Sequence, residues 1–142
     1  MFMELRLHIY NNNIEGNKMK SILILDDDSR ICDELAEYLL HRNYKVFTAG
    51  KPSRAREMLT EKDIGLVFLD INLPEMNGIS FLKEIKRKYP QTKVVMISSN
   101  VSEHIRKDAL QRGAESFFSK PIHFYQIQEE INRINKTNRR EL

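Results

Sequence analysis

The sequence predicts an α/β fold: a doubly wound, five-stranded parallel sheet with helices on both faces. Three observations carry that prediction. Short apolar runs alternate five times with stretches whose apolar residues recur at helical spacing. The central run, residues 64–69, is apolar without a break, as a strand covered on both faces must be. The first, third and fourth runs give way to polar residues, Asp26, Asp70 and Ser98, at the edge where such sheets collect their chemistry.

Residues 1–18 stand apart from this pattern. Met3, Leu5, Leu7 and Ile9 alternate with Glu4, Arg6, His8 and Tyr10, the period-2 rhythm of a half-buried strand. Asn11, Asn12, Asn13, Gly16 and Asn17 then supply turn chemistry. The segment reads as an N-terminal arm or leader that could add one strand, and Met19 can serve as a start for the remainder of the chain. The domain proper is placed at residues 19–136, with 137–142 as a C-terminal tail.

Residues 21–25 form the first strand, which ends in Asp26, Asp27 and Asp28. Ile31, Leu35 and Leu39 come next at helical spacing, with Asp28 or Ser29 as the cap. Residues 44–48 make the second strand. Pro52 opens a helix, since its φ is already near the helical value, and Ala55, Met58 and Leu59 form the inward face. After the third strand the chain turns through Pro74, Asn77 and Gly78 into a helix over 78–88, stopped before Pro90. A fourth strand over 93–97 ends in Ser98 and Ser99, and the next helix starts near Ser102 and stops at Gly113, a natural left-handed terminator. Residues 116–119 are a short fifth strand ahead of Lys120 and Pro121. The last helix carries Ile127, Ile131 and Ile134 on one side.

At 142 residues, with 41% hydrophobic and 30% charged, the chain suits one globular domain with a proper core. No run approaches the roughly 20 apolar residues of a membrane span. The first ten residues carry charge throughout and lack a signal-peptide core, so a cytoplasmic location is expected. The single cysteine, Cys32, cannot form an internal disulfide, and on the first helix it reads as a small buried hydrophobe. A net charge of +3, spread over helices, offers no nucleic-acid platform, and no nucleic-acid contact is expected.

Right-handed crossovers put all five strand ends on one edge, which gathers Asp26, Asp27, Asp70, Ser98 and Lys120. Carboxylates converging in one cleft repel, so one must protonate or a cation must sit among them. Oxygen-only donors at a wet edge suit a hard ion, Mg²⁺ above all. With an ammonium and a hydroxyl added, the parts suit a phosphoryl group: charge to neutralise its oxygens, a donor to orient it, a carboxylate to accept it.

The motifs that carry these residues are Ile22-Leu23-Ile24-Leu25-Asp26-Asp27, Leu69-Asp70 with Leu73-Pro74 and Met76-Asn77-Gly78, Ile97-Ser98-Ser99, Gly113-Ala114 and Lys120-Pro121. Each is weak alone. In this order and on these elements, over residues 19–134, they resemble the receiver domain of two-component response regulators, the chemotaxis-type single-domain receiver in particular. The resemblance implies a flavodoxin-like strand order, 2-1-3-4-5. It implies that Asp70 takes a phosphoryl group from a sensor histidine kinase or phosphotransfer protein, with Mg²⁺ as cofactor. Asp27, the Asp70 carboxylate and the main-chain carbonyl of Asn72 would bind the metal directly, and Asp26 through a metal-bound water. Ser98 and Lys120 would bind the phosphoryl oxygens, Ser98 and Phe117 would form the switch, and the bond before Pro121 would be cis. Such a chain is a signalling receiver and not an enzyme, catalysing only its own phosphorylation and dephosphorylation. It works through a downstream protein partner, as a monomer or a phosphorylation-dependent dimer, with no membrane contact. The kinase would dock near Ile31, Leu35, Pro121 and Ile122.

Departures from the family pattern are small. Ser98 stands where threonine is commoner and keeps the hydroxyl. Ser99 is slightly larger than the usual residue guarding the acceptor, and Phe117 lacks the hydroxyl of a tyrosine, leaving packing alone to drive a switch. Two rival readings remain. Asp26-Asp27-Asp28 also fits the Asp-x-Asp of haloacid-dehalogenase-type phosphatases, in which Asp26 would be phosphorylated, but Arg30 stands where that family wants threonine or valine. The other is a binding-only module with an idle acidic site, although no acid, lysine or acceptor is missing. Whether the chain is a whole regulator or a fragment of one with an output domain stays open at this level.

Overall fold

A strand buried on both faces needs apolar side chains at successive positions, and the strands here supply them. The computed structural model describes residues 20–99 and 102–141, so the alternating segment within 1–18 lies outside the described residues. Strands β1 (Ser21–Leu25), β2 (Val46–Ala49), β3 (Ile64–Asp70), β4 (Lys93–Ser98) and β5 (Ser116–Ser119) form one sheet. They pair in parallel in the order β2-β1-β3-β4-β5. Helices α1 (Ser29–His41), α2 (Pro52–Glu61), α3 (Gly78–Lys88), α4 (Glu103–Gln111) and α5 (Phe124–Glu141) each follow a strand. The doubly wound, flavodoxin-like architecture is the expected one.

Side chains alternate across the pleat, which divides the core into two layers. Leu23, Leu25, Val67, Leu69, Val94 and Met96 pack against Ala55, Met58, Phe81, Leu82, Ile85 and Ala109 of α2, α3 and α4. Ile22, Ile24, Leu66, Phe68, Val95 and Ile97 pack against Leu35, Leu39, Ile127, Ile131 and Ile134 of α1 and α5. Cys32 lies in the second layer, where burial pushes its thiol up to about 12, so it is the inert hydrophobe that its helical position suggested.

Several boundaries shift by a residue or two from expectation, and two of the differences have a clear local cause. β2 begins at Val46 and not at residue 44, because Asn43 turns the chain at φ 68 and the Tyr44 amide donates back to the Leu39 carbonyl. Residues 42–44 thereby close α1 before the strand can start. The expected C-terminal tail is largely helical, since α5 runs to Glu141. The apolar spacing that marks the helix stops at Ile134, but no glycine or proline comes after it, and Lys136, Arg139 and Arg140 are good helix formers.

Candidate functional site

Sheet register assembles the site from segments far apart in the chain. β1 and β3 pair Leu25 with Leu69, so Asp26 and Asp70 emerge side by side one step later. β3 and β4 pair Asp70 with Ile97, which brings Ser98 to the same edge. β4 and β5 pair Ser98 with Ser119, and the Lys120 amide donates to the Ser98 carbonyl at 2.9 Å. Asp26, Asp27 and Asp70 present carboxylate oxygens within 4.8 Å of one another. Asp26 and Asp70 are each 4% exposed and Ser98 is fully buried, while Asp27 lies open to solvent.

Lys120 ties the cluster together. Its Nζ lies 2.8 Å from Asp26 Oδ2 and 3.1 Å from Asp70 Oδ2. Burial alone would lower the Lys120 ammonium, but the hydrogen bonds to Asp26 and Asp70 outweigh it and hold the group above its ordinary value. Burial pushes the Asp26 carboxyl above the usual carboxylate range, aided by the nearby Asp70 charge, against the pull of Lys120 and of the Asp28 amide at 2.9 Å. Three carboxylates against one ammonium leave two negative charges uncompensated, the charge of one divalent cation. The donors are all oxygens and one side of the cluster is open through Asp27, so the residues present fit a hard, partly hydrated ion such as Mg²⁺. Asp28 is not part of the set. Its carboxylate accepts from the Arg30 and Ile31 amides at 3.0 and 3.4 Å and caps α1.

Strand β3 leads into a loop, residues 71–77, that is held at several points. The Asn72 amide donates to Asp70 Oδ1 at 3.3 Å, and the Gly78 amide to the Ile71 carbonyl at 2.7 Å. A Cβ on residue 78 would meet the Asp70 carbonyl oxygen at 2.1 Å and the Ile71 Cα at 2.6 Å. Glycine is therefore what lets α3 start against the backbone of Asp70. Sequence alone marked Gly78 as the end of a turn, the start of a helix and part of a motif, but not its close approach to Asp70. Glu75, which no sequence signal picked out, adopts φ 72, and its carboxylate accepts from the Ser53 amide at 2.9 Å and the Ser53 hydroxyl at 3.0 Å. Those bonds hold its carboxyl below the usual range.

The remaining expected positions divide between agreement and correction. The Lys120-Pro121 bond is cis. Phe117 is 7% exposed and packs in the layer with Val94, Met96 and Ala109, so its ring is already inward in this structure. Leu35 is fully buried, facing the sheet, and cannot meet a docking partner. Helical periodicity marks an inward face and an outward face, and Leu35 is on the inward one. Pro121 is exposed, and Ile31 and Ile122 are half-buried.

The model of the response regulator receiver domain family matches residues 22–132. The chain is 31% identical over 115 residues to the transcriptional regulatory protein CrdR of Helicobacter pylori, covering 80% of this chain and 54% of that protein. It is 33% identical over 117 residues to the response regulator SaeR of Staphylococcus aureus, covering 82% of this chain and 50% of that protein. The chain thus spans about half the length of these curated relatives. Its backbone superposes with a TM-score of 0.83 on the crystal structure of a CheY-like response regulator receiver domain protein from Methanospirillum hungatei JF-1. That match has 26% identity and covers 88% of this chain and all of the other.

Proposed function

This chain belongs to the response regulator receiver domain family, and we propose that it is a phosphoacceptor switch in which Asp70 takes a phosphoryl group from a sensor histidine kinase or phosphotransfer protein. The observation that carries this reading is the placement of Asp70, at the end of β3, inside a cluster of three carboxylates that one lysine only partly neutralises. Asp27, Asp70 and the Asn72 carbonyl would hold Mg²⁺, with Asp26 reaching it through water. Bound there, the ion would offset the negative charge of the incoming phosphoryl group.

An Asp70 oxygen attacks phosphorus, and the P–O bond forms as the P–N bond to the donor imidazole breaks. The electron pair leaves with the imidazole nitrogen, which then takes up a proton. Lys120 neutralises charge on the transferred group and the Ser98 hydroxyl donates to it. The contacts of Asp70, at 3.3 and 3.1 Å, are longer than those of Asp26, at 2.9 and 2.8 Å. The match to the receiver family over residues 22–132 speaks against the phosphatase alternative. Phosphorylation would bias the Phe117 ring toward the inward position seen here and so alter the surface around α4, β5 and α5 offered to a downstream protein. The setting proposed is the cytoplasm, and among the described residues no helix is long and apolar enough to cross a membrane.

Intact mass after incubation with acetyl phosphate and Mg²⁺ tests the assignment. Wild type should gain one hydroxylamine-labile phosphoryl group and Asp70→Asn none. Uptake by Asp70→Asn, or none by wild type, would defeat the reading.

A further inference from the structure

We infer that Glu75 is a positioning residue, which docks the loop after the acceptor onto the first turn of α2 and thereby sets the Asn72 carbonyl for the cation; this rests on the metal reading above. The loop is anchored at its two ends by the Asn72 amide on Asp70 and by the Gly78 amide on Ile71. Between those anchors its apex is held from α2, a separate element. Ser53 donates twice to the Glu75 carboxylate, through its amide and its hydroxyl, and the Arg56 guanidinium approaches Met76 Sδ at 3.1 Å.

Two features make the Glu75 contact specific. α2 has no side-chain cap of its own, because Lys51 stands at that position, so the Glu75 carboxylate takes the place of one. The positive end of the helix dipole favours a carboxylate there. In addition, Glu75 holds a left-handed φ of 72, unfavourable for a residue with a side chain unless its surroundings enforce it. Releasing the carboxylate frees the residue to relax, and Asn72 is three residues away on the same short loop. An ordered outer partner of a metal ligand typically changes affinity when removed.

The inference predicts that Glu75→Gly, which suits the backbone conformation but lacks the carboxylate, binds Mg²⁺ about tenfold more weakly, the low end for outer partners of a ligand. Glu75→Gln, which keeps an oxygen for the Ser53 amide, should restore most of the affinity. Calorimetric titration with MgCl₂, together with hydrogen exchange at the Ser53 amide, reads both effects. In wild type, Mg²⁺ should slow exchange at Ser53, since coupling between two sites is reciprocal; in Glu75→Gly it should not. Wild-type affinity in folded Glu75→Gly would overturn the inference while leaving the metal site standing. Equal weakening in Glu75→Gln would also overturn it, because charge alone would then be responsible. Failure of wild type to bind Mg²⁺ would remove the metal reading and this inference together.

Discussion

At Gly78 the helix after β3 starts so close to that strand that a Cβ would sit 2.1 Å from the Asp70 carbonyl oxygen. Backbone cannot yield as a flexible side-chain tip can, so Gly78→Ala must move either α3 or Asp70. The expected cost is about 3 kcal/mol by urea denaturation, the upper part of the usual overpacking range, with loss of Mg²⁺ binding at the displaced carboxylate. Asp27 gives the opposite separation of stability from function. It is exposed and makes no contact needed for packing, so Asp27→Asn should fold normally. Wild type should gain about 2.7 kcal/mol of stability when Mg²⁺ is raised to a hundred times its Kd. Thermal melts of Asp27→Asn with and without the ion should nearly coincide.

Helices α2 and α3 are joined across the mouth of their layer by Arg56 and Glu84. The guanidinium Nε and Nη2 lie 2.7 and 3.1 Å from the two Glu84 oxygens, and its carbon lies 5.4 Å from the centre of the Phe81 ring. The hydrogen bond from Arg56 holds the Glu84 carboxyl below its ordinary 4.5. A carboxyl depressed in the folded state contributes its stability above the unfolded value and loses it as pH falls through the folded one. Stability measured against pH should therefore show wild type above Glu84→Gln at neutral pH, the two converging below 4.5. Arg56 is 42% exposed, so the gap should be only about 0.5–1 kcal/mol after solvent screening. The loop of residues 71–77 lies beside this pair, and Arg56 reaches both Glu84 and Met76. The α2–α3 contact and the loop after Asp70 are thus parts of one arrangement.

Among the described residues, the sheet separates two apolar layers, one on each of its faces. Ile85 belongs to one layer and Ile131 to the other, each at most 1% exposed. Ile85→Val and Ile131→Val should each cost about 0.5–1.5 kcal/mol. Because they share no neighbour in either layer, the double variant should lose the sum within about 0.5 kcal/mol. A larger deviation in denaturation midpoints would mean that the layers are coupled through the sheet. The site sits at the edge common to both layers, fed by Asp26 and Asp70 from the strands that form the sheet's centre.

Local signals in the amino-acid sequence were enough for the alternation of strands and helices, the side of the sheet that holds the polar residues, and the identity of the clustered groups. Apolar runs mark doubly covered strands, 3.6-residue spacing marks helices, and a fixed crossover hand places every strand end together. The arm expected within residues 1–18 lies outside the described residues. Which contacts the cluster makes, and how tightly, came from tertiary packing alone. That Lys120 lies nearer Asp26 than Asp70, that Gly78 abuts the Asp70 backbone, that Leu35 is wholly buried and that Phe117 is already inward all depend on packing between elements. Glu75 and Ser53 illustrate the reason. They are 22 residues apart, one on a loop and one in a helix, and neither is unusual in its own neighbourhood. Their contact exists because the sheet brings α2 beside the loop after Asp70, and periodicity within a segment carries no record of what another segment places against it.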